Sequence, residues 1–449
     1  MTEKITKEGF GKKVFGNTFF SVLDILLFKV STVLAFIILV RILPVDDIAI
    51  LGIAGGYLVF IGYLDVAPIR VLLRDYPKIS KQKKQRDHVL TAFFLFWLLQ
   101  AALMLCLFLM LDYTVFSDLK LKGISFVFFA LTMDFIALSL SGWLKTIFYI
   151  DFKQKKATKI SFFLAIGRVS TYSYLIFYPT LDAYAELLIA FSIFSNVVWF
   201  SAFLAQFKYK PSIDKNTIKI LKDSLHDYGL WDHFNRTVIN TLFIIDVVII
   251  SYYATLSEVA DYTIALKFTS LLAIMSMQLN RSLQVSLSNI DDESKRQESI
   301  SLFFKINAAI SIGQLIVIVS FGDLLLMLLF GPNLSSSVYE YSVIISVGVT
   351  LFNIAFPVLA IANNFCKIKQ LFILVFLPSL ISGLLGYYFL SIGWGVIGVC
   401  YGNIFCYLIL ASLLILYTKK KYHFSLNILS FNDNEKKIMR GFMKALVNK

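Results

Sequence analysis

The sequence predicts an all-α integral membrane protein of about twelve transmembrane helices, arranged as two six-helix lobes, related by a parallel repeat, around a central cavity. Of the 449 residues, 58% are apolar and 16% are charged, and the mean hydropathy is +0.75. A soluble domain is usually about a quarter charged. The chain also repeats apolar runs of about 20 residues, the length that crosses a bilayer. The longest gap between these runs separates six of them from the other six.

Charged segments, or segments that contain Gly, Pro or Asn, separate the twelve runs. The predicted spans lie near residues 14–40, 48–72, 89–111, 124–150, 160–179, 184–206, 237–255, 261–288, 302–321, 339–363, 371–391 and 395–417. They define an N-terminal lobe over 1–206, a cytoplasmic linker over 207–236, a C-terminal lobe over 237–417 and a basic cytoplasmic tail over 418–449. A short internal repeat aligns Asp47 with Glu258 and Arg70 with Arg281. Because each lobe has an even number of spans, the two repeats must be parallel, as in transporters whose halves rock about a central site.

The 42 Lys+Arg residues exceed the 29 Asp+Glu residues, which gives a net charge of +13. In a soluble protein this excess would indicate nucleic acid as a partner. Here the basic residues are concentrated in alternate gaps between spans, so the positive-inside rule places both termini in the cytoplasm and no nucleic-acid partner is expected. The spans leave no room for a soluble catalytic domain. We therefore expect a multi-pass protein that is not an enzyme.

The linker contains a segment over 214–225 with two interpretations. Ile218, Leu221 and Leu225 share one helical face, and lysines occupy other positions. This pattern is typical of an amphipathic helix on the anionic inner leaflet. An ordinary solvated linker helix fits the pattern equally well.

Charged residues recur inside the predicted spans, where each one costs at least about 2.5 kcal/mol unless it faces a cavity or a partner. The cationic candidates for a cavity lining are Lys29, Arg70, Lys145, Arg168, Lys267 and Arg281. Helical spacing places several of them on polar stripes. The stripes are Asp134, Leu138, Ser141 and Lys145; Ser161, Arg168 and Tyr172; and Lys267, Ser270, Ile274, Gln278 and Arg281. The sequence therefore predicts a cationic cavity suited to an anionic head group such as pyrophosphate.

Asp24, Asp134 and Asp246 are the buried carboxylates that we single out as ion-coupling candidates. Arg70 and Lys145 have a second interpretation, because both lie near cytoplasmic ends of their spans and long side chains there reach the interface. Cysteines and histidines show no metal-ligand spacing, so no metal is expected. The glycines of Gly393-Trp-Gly395-Val-Ile-Gly398 match a dinucleotide fingerprint, but they open a membrane span without a preceding strand. We interpret them as sites of close helix packing.

Four segments carry a resemblance to a known family. Residues 41–52 (RILPVDDIAILG) follow the first span, residues 256–268 (LSEVADYTIALKF) open the second lobe, residues 330–332 (FGP) form a turn, and residues 395–399 (GVIGV) open the last span. The chain resembles the polysaccharide-transport flippases of the MATE-like (MOP) superfamily. Where that family often has Asp-x-Gly and Gly-x-Tyr, this chain has Asp65-Val-Ala67 and Ala260-Asp-Tyr262.

The resemblance implies translocation of an undecaprenyl-pyrophosphate-linked oligosaccharide from the inner to the outer leaflet of a bacterial cytoplasmic (inner) membrane, by alternating access. The translocated units would be used to assemble O-antigen for lipopolysaccharide, capsule or exopolysaccharide. The implied partners are the lipid-linked substrate, membrane lipids, and the polymerase and chain-length regulator of the same pathway. No cofactor is implied, and an H⁺ or Na⁺ gradient would supply the energy.

Three alternatives remain open. A MATE-type cation or drug antiporter would share the fold but needs an acidic cavity. A lipid II flippase would share the cationic cavity and the lipid anchor, but members of that group usually have fourteen spans. A membrane-embedded polymerase or glycosyltransferase would need a long outer loop, which this sequence lacks.

Overall fold

The computed structural model describes residues 7–66, 83–151, 153–213, 230–289 and 292–422. These residues are α-helical throughout, with short turns between the helices and no strand among them. The predicted amphipathic segment over 214–225, Arg70 and most of the basic tail lie outside the described residues.

The chain divides into two compact units, Met1–Thr237 and Val238–Lys449. The first unit contains α1 (Lys7–Ile42), α2 (Val45–Gly62), α3 (Lys83–Leu111), α4 (Ile124–Ile150), α5 (Gln154–Ser173) and α6 (Leu181–Phe207). Helix α7 (Leu230–Ile250) begins in the first unit and continues in the second. The second unit further contains α8 (Leu256–Ser270), α9 (Leu272–Asn289), α10 (Glu293–Phe330), α11 (Ser336–Phe365) and α12 (Leu377–Lys421).

Each of the twelve predicted spans overlaps a described helix, although the eighth, over 261–288, is divided between α8 and α9. The all-α membrane fold class is confirmed. Within the described residues, nine helical stretches are long and apolar enough to cross a membrane. One of them, Ile368–Lys421, contains the last two predicted spans. The first and fifth predicted spans lie on α1 and α5, which are not among those nine.

Helix α2 differs from the predicted span over 48–72, because the helix ends at Gly62. The carbonyl groups of Leu64 and Val66, just beyond the helix end, accept hydrogen bonds from Nε2 of Gln100, at 2.9 and 3.2 Å. Carbonyl groups beyond a helix end need such partners when water is excluded. The side-chain amide of Gln100 on α3 thus stabilises the C-terminal end of α2. The apolar run of α2 continues past Gly62 and did not indicate this end.

In the first unit, α4 packs along α6, and α1 packs along α5. Large side chains such as Trp143, Phe148 and Phe203 fill the core between α4 and α6. In the second unit, α11 is the central helix and packs against α8, α9, α10 and α12.

The glycines of the rejected dinucleotide fingerprint have a backbone role in α12. Gly395 interrupts the helix with φ +59° and ψ −138°, a conformation that a side chain makes costly. The interruption brings Gly398 against the preceding turn, where a Cβ atom would lie 2.0 Å from the carbonyl oxygen of Leu390. The prediction of close packing is confirmed at Gly398 but is wrong for Gly393 and Gly395, where a Cβ atom would meet no atom within 4 Å.

Replacing Gly398 with alanine is expected to destabilise the second unit by at least about 3 kcal/mol, because the backbone of Leu390 must move to admit the methyl group. The measurement is the midpoint of thermal unfolding of the purified full-length protein in detergent. Gly393→Ala is the matched control, since a Cβ atom there meets no atom within 4 Å. Equal stability of the two variants would contradict the prediction.

Candidate functional site

A cavity of about 230 Å³ lies inside the first unit, between α1, α4, α5 and α6. We call it the Arg168 cavity. It is lined by Phe28, Ser31, Asp134, Ala137, Leu138, Ser141, Gly142, Lys145, Ser161, Leu164, Ala165, Arg168, Phe191, Ser192, Ser195 and Trp199. The lining combines aromatic and small apolar side chains with five serines, two cations and one carboxylate.

Helical spacing explains how two of these helices supply polar groups. Asp134, Ser141 and Lys145 repeat at intervals of seven and four residues along α4, and all three face the cavity. Ser161 and Arg168 are separated by seven residues on α5, and both face it as well. Residues at these intervals lie on one side of a helix. The two stripes read from the sequence are therefore two walls of one cavity.

Arg168 is only 9% exposed and pairs with a carboxylate. Its Nη2 atom lies 3.0 Å from Oδ2 of Asp134, and the Ser192 hydroxyl donates to the other carboxylate oxygen, Oδ1, at 2.7 Å. The guanidinium carbon lies 5.8 Å and 6.0 Å from the ring centres of Phe28 and Phe191. The cation thus has two aromatic rings, one carboxylate and the side chain of Tyr172 among its neighbours, an arrangement that fixes its orientation.

Lys145 pairs with a carboxylate from a distant helix. Its Nζ atom donates to both oxygens of Asp24, at 2.9 and 3.2 Å, and the Tyr149 hydroxyl donates to the same carboxylate. Nζ also lies 5.3 Å from the ring centre of Trp199. The side chain of Asp24 is 2% exposed and that of Lys145 is 21% exposed, so the carboxylate is the buried member of the pair.

These pairs change the electrostatic description of the cavity. The sequence predicted a cationic cavity, whereas both of its cations, Arg168 and Lys145, are neutralised by carboxylates in this structure. The reason is that burying two unpaired cations would cost several kcal/mol each. An anionic ligand therefore has to compete with Asp134 and Asp24 for the same donors.

Two buried polar atoms of the cavity have no hydrogen-bond partner in the described part of the chain. They are Nε of Arg168 and Oγ of Ser161. A buried donor without a partner is costly and uncommon in native structures. Guanidinium N–H and hydroxyl groups are donors suited to phosphate oxygens. The cavity therefore has unused capacity to bind an oxyanion.

The second unit contains a separate buried carboxylate, Asp246 of α7, which is fully buried. Its Oδ2 atom accepts from the Tyr262 hydroxyl at 2.5 Å and from the Asn403 amide at 3.1 Å. Its Oδ1 atom accepts from the backbone N–H of Val247 at 2.8 Å, and Tyr387 donates to the Asn403 carbonyl at 2.9 Å. No cation of the described chain forms an ion pair with Asp246, and all its donors are neutral.

The other predicted cations do not line the Arg168 cavity. Lys29 is half-buried on α1, in the same unit. Lys267 is exposed in the last turn of α8, in the second unit. Arg281 lies on α9, but its side chain is not described, and Arg70 lies outside the described residues altogether.

Several site residues were missed at the sequence level. Ser192 and Trp199 complete the Arg168 cavity, and Asn403 completes the Asp246 network. Asn403 could have been found from the sequence, because an amide in the middle of an apolar span normally has a buried hydrogen-bond partner. Ser192 and Trp199 had none, since serine and tryptophan are common in membrane helices that line no cavity.

No protein-family model and no curated protein sequence matches this chain. Among solved structures, it is similar to the lipid II flippase MurJ in its inward closed conformation, with a TM-score of 0.69 and 13% identity over 96% of this chain and 97% of that one. It is also similar to the eukaryotic MATE transporter AtDTX14, with a TM-score of 0.67 and 14% identity over 96% and 99%.

A third structure, the inward-facing conformation of a multidrug resistance MATE family transporter of the MOP superfamily, gives a TM-score of 0.63 and 14% identity over 87% of this chain and 94% of that one. All three matches cover nearly the whole length of both chains, and at these identities they concern the fold alone. The three neighbours are transporters. This chain has the fold of the transporters of the MOP superfamily.

Proposed function

We propose that this protein is a flippase that moves an undecaprenyl-pyrophosphate-linked oligosaccharide repeat unit from the cytoplasmic to the outer leaflet of a bacterial inner membrane, by alternating access. The observation that carries the proposal is the pair of unpartnered buried donors in the Arg168 cavity, Nε of Arg168 and Oγ of Ser161. Pyrophosphate oxygens are strong acceptors for both. The exported unit would serve the assembly of O-antigen, capsule or exopolysaccharide.

Loading of the pyrophosphate requires Arg168 and Lys145 to exchange their carboxylate partners for phosphate oxygens. A coupling cation bound by Asp134 or Asp24 would release Arg168 or Lys145 for the phosphate, and its departure would expel the phosphate on the other side. Transport would then be coupled to a gradient of H⁺ or Na⁺. Asp246, which has only neutral donors around it in the described chain, is the candidate for a second coupling group that exchanges H⁺ or Na⁺.

The proposal implies lipids and the lipid-linked oligosaccharide as partners, together with the polymerase and chain-length regulator that use the exported unit. It also implies that both termini are cytoplasmic, as the distribution of basic residues predicts. No cofactor is needed beyond the ion gradient.

A cation or drug antiporter is the second candidate function. The observation in its favour is the Asp134 carboxylate, which shares the Arg168 cavity with the rings of Phe28 and Phe191. Acidic and aromatic groups together bind organic cations. The flippase is favoured because Arg168 already neutralises Asp134 and repels a second cation. A lipid II flippase, which is the function of the structural neighbour MurJ, would use the same phosphate-binding groups with a different glycan.

The test is extraction and mass analysis of polyprenyl-linked glycans from cells depleted of this protein, compared with complemented cells. We expect a completed, unpolymerised repeat unit to accumulate on its lipid carrier, inaccessible from outside spheroplasts. Accumulation of the peptidoglycan precursor instead would identify a lipid II flippase. An unchanged glycan pool with increased sensitivity to cationic drugs would favour the antiporter and contradict the proposal.

A further inference from the structure

A second cavity of about 240 Å³ lies in the first unit, and aromatic side chains form much of its wall. We call it the Trp143 cavity. Its aromatic lining is contributed by Phe93, Trp97, Phe135 and Trp143. The volume is below the range of roughly 300–1,000 Å³ that is typical of sites for drug-sized molecules. The cavity therefore suits a single small ring.

The polar groups of the Trp143 cavity carry no net charge. Asp65 and Arg236 supply one charge of each sign, and Gln100 and Ser139 supply an amide and a hydroxyl. The hydroxyl of Ser139 donates to Oδ1 of Asp65 at 2.8 Å. Such a mixture of donors and acceptors around aromatic faces matches a neutral polyhydroxyl ligand better than an ion.

Trp143 supplies an observation that itself points to a ligand. The side chain is only 5% exposed, and its indole N–H has no hydrogen-bond partner in the described part of the chain. A buried indole N–H normally finds an acceptor. A ligand hydroxyl in the cavity would provide one.

The Trp143 cavity adjoins the Arg168 cavity. Leu138 and Gly142, one turn apart on α4, line both. A Cβ atom added to Gly142 would meet nothing within 4 Å, so no side chain separates the two cavities at this residue. If a ligand binds with its charged group in the Arg168 cavity, the part of the ligand attached to that charged group will lie beside the Trp143 cavity.

We propose that the Trp143 cavity binds the sugar ring attached to the pyrophosphate of the transported lipid. This inference rests on the proposed function, because the Arg168 cavity must hold the pyrophosphate. A pyranose ring has an apolar C–H face for the aromatic walls and a rim of hydroxyl groups for Trp143, Gln100 and Asp65. An aromatic cation would fit the walls but would face the charge of Arg236.

The test measures affinities of the purified full-length protein by native mass spectrometry. The probes are undecaprenyl pyrophosphate without sugar and the same lipid carrying glucose, galactose or N-acetylglucosamine. We expect at least one sugar-bearing lipid to bind about tenfold more tightly than the sugar-free lipid, since two tryptophan faces contribute. Trp97→Ala should abolish this preference and leave the affinity for the sugar-free lipid unchanged. Trp143→Phe, which keeps an aromatic ring but removes the N–H, should reduce the preference for the sugar-bearing lipid about threefold.

Trp394→Ala is the matched control, because Trp394 is an exposed tryptophan of the second unit and its loss should leave every affinity unchanged. Equal affinity of the wild type for all four lipids, or a preference that survives both Trp97→Ala and Trp143→Phe, would overturn the sugar subsite and leave the flippase proposal standing. Failure of the wild type to bind the sugar-free lipid would instead overturn the flippase proposal itself.

Discussion

Replacing Arg168 with methionine is expected to abolish export of the lipid-linked glycan and to destabilise the protein by about 3–5 kcal/mol. The substitution removes the guanidinium donors and leaves the carboxylate of Asp134 buried without its cation, 3.0 Å from the vacated position. Breaking a buried ion pair from one side costs energy in this range. The measurements are the pool of lipid-linked glycan in complemented cells and the unfolding midpoint of the purified protein.

The double variant Arg168→Met, Asp134→Leu separates the two effects. It removes the whole ion pair, and replacing a buried pair with apolar side chains is often neutral for stability. We therefore expect the double variant to regain most of the lost stability without regaining export. Lys295→Met is the surface control, because the Lys295–Asp292 pair is exposed and 3.8 Å long and such pairs contribute little. Full export by Arg168→Met at a normal protein level would refute the assignment of Arg168 to the substrate.

Replacing Asp246 with alanine is the second change with a large expected effect. The hydroxyl of Tyr262 and the amide of Asn403 would lose their shared acceptor at a fully buried position. Each buried polar group that is left unsatisfied costs about 1–3 kcal/mol. We expect a fall in stability of at least about 3 kcal/mol, measured as the unfolding midpoint in detergent, and correspondingly low protein levels in cells.

Asp246→Asn tests whether the carboxylate also couples an ion to transport. The amide keeps the volume of the side chain and can still accept from Tyr262, so we expect a smaller loss of stability than with alanine. If Asp246 is a second coupling group that exchanges H⁺ or Na⁺, glycan export by the folded Asp246→Asn protein will respond less strongly to the ion gradient than export by the wild type. Tyr262→Phe is the structural control, since it removes the two hydrogen bonds of the hydroxyl group, to Asp246 and from Asn403, and leaves the carboxylate. A gradient response unchanged in Asp246→Asn would limit Asp246 to a structural role.

The sequence predicted the helices of this fold well, because each span is a continuous apolar run that ends where charged or turn-forming residues begin. The fourth span was predicted over 124–150 and observed as Ile124–Ile150. The second span was predicted too long, since its end depends on hydrogen bonds from Gln100 of another helix. Local pattern therefore predicts where a helix lies more reliably than where it ends.

The candidate site could be predicted only one helix at a time. Spacing along α4 grouped Asp134, Ser141 and Lys145, and spacing along α5 grouped Ser161 with Arg168, because helical periodicity determines which residues share a face. It does not determine which helix that face meets. The cavity was therefore expected to be cationic, although carboxylates lie beside both of its cations.

The sequence by itself determined that this protein is embedded in a membrane, where most of its described helices lie, and which of their faces are polar. These properties follow from hydropathy and from periodicity along the chain. Only the tertiary structure decided that Lys145 pairs with Asp24, that Arg168 pairs with Asp134, and that Asp246 receives neutral donors. Each of these contacts joins different helices, and the packing of whole helices, rather than any local pattern, sets which side chains meet.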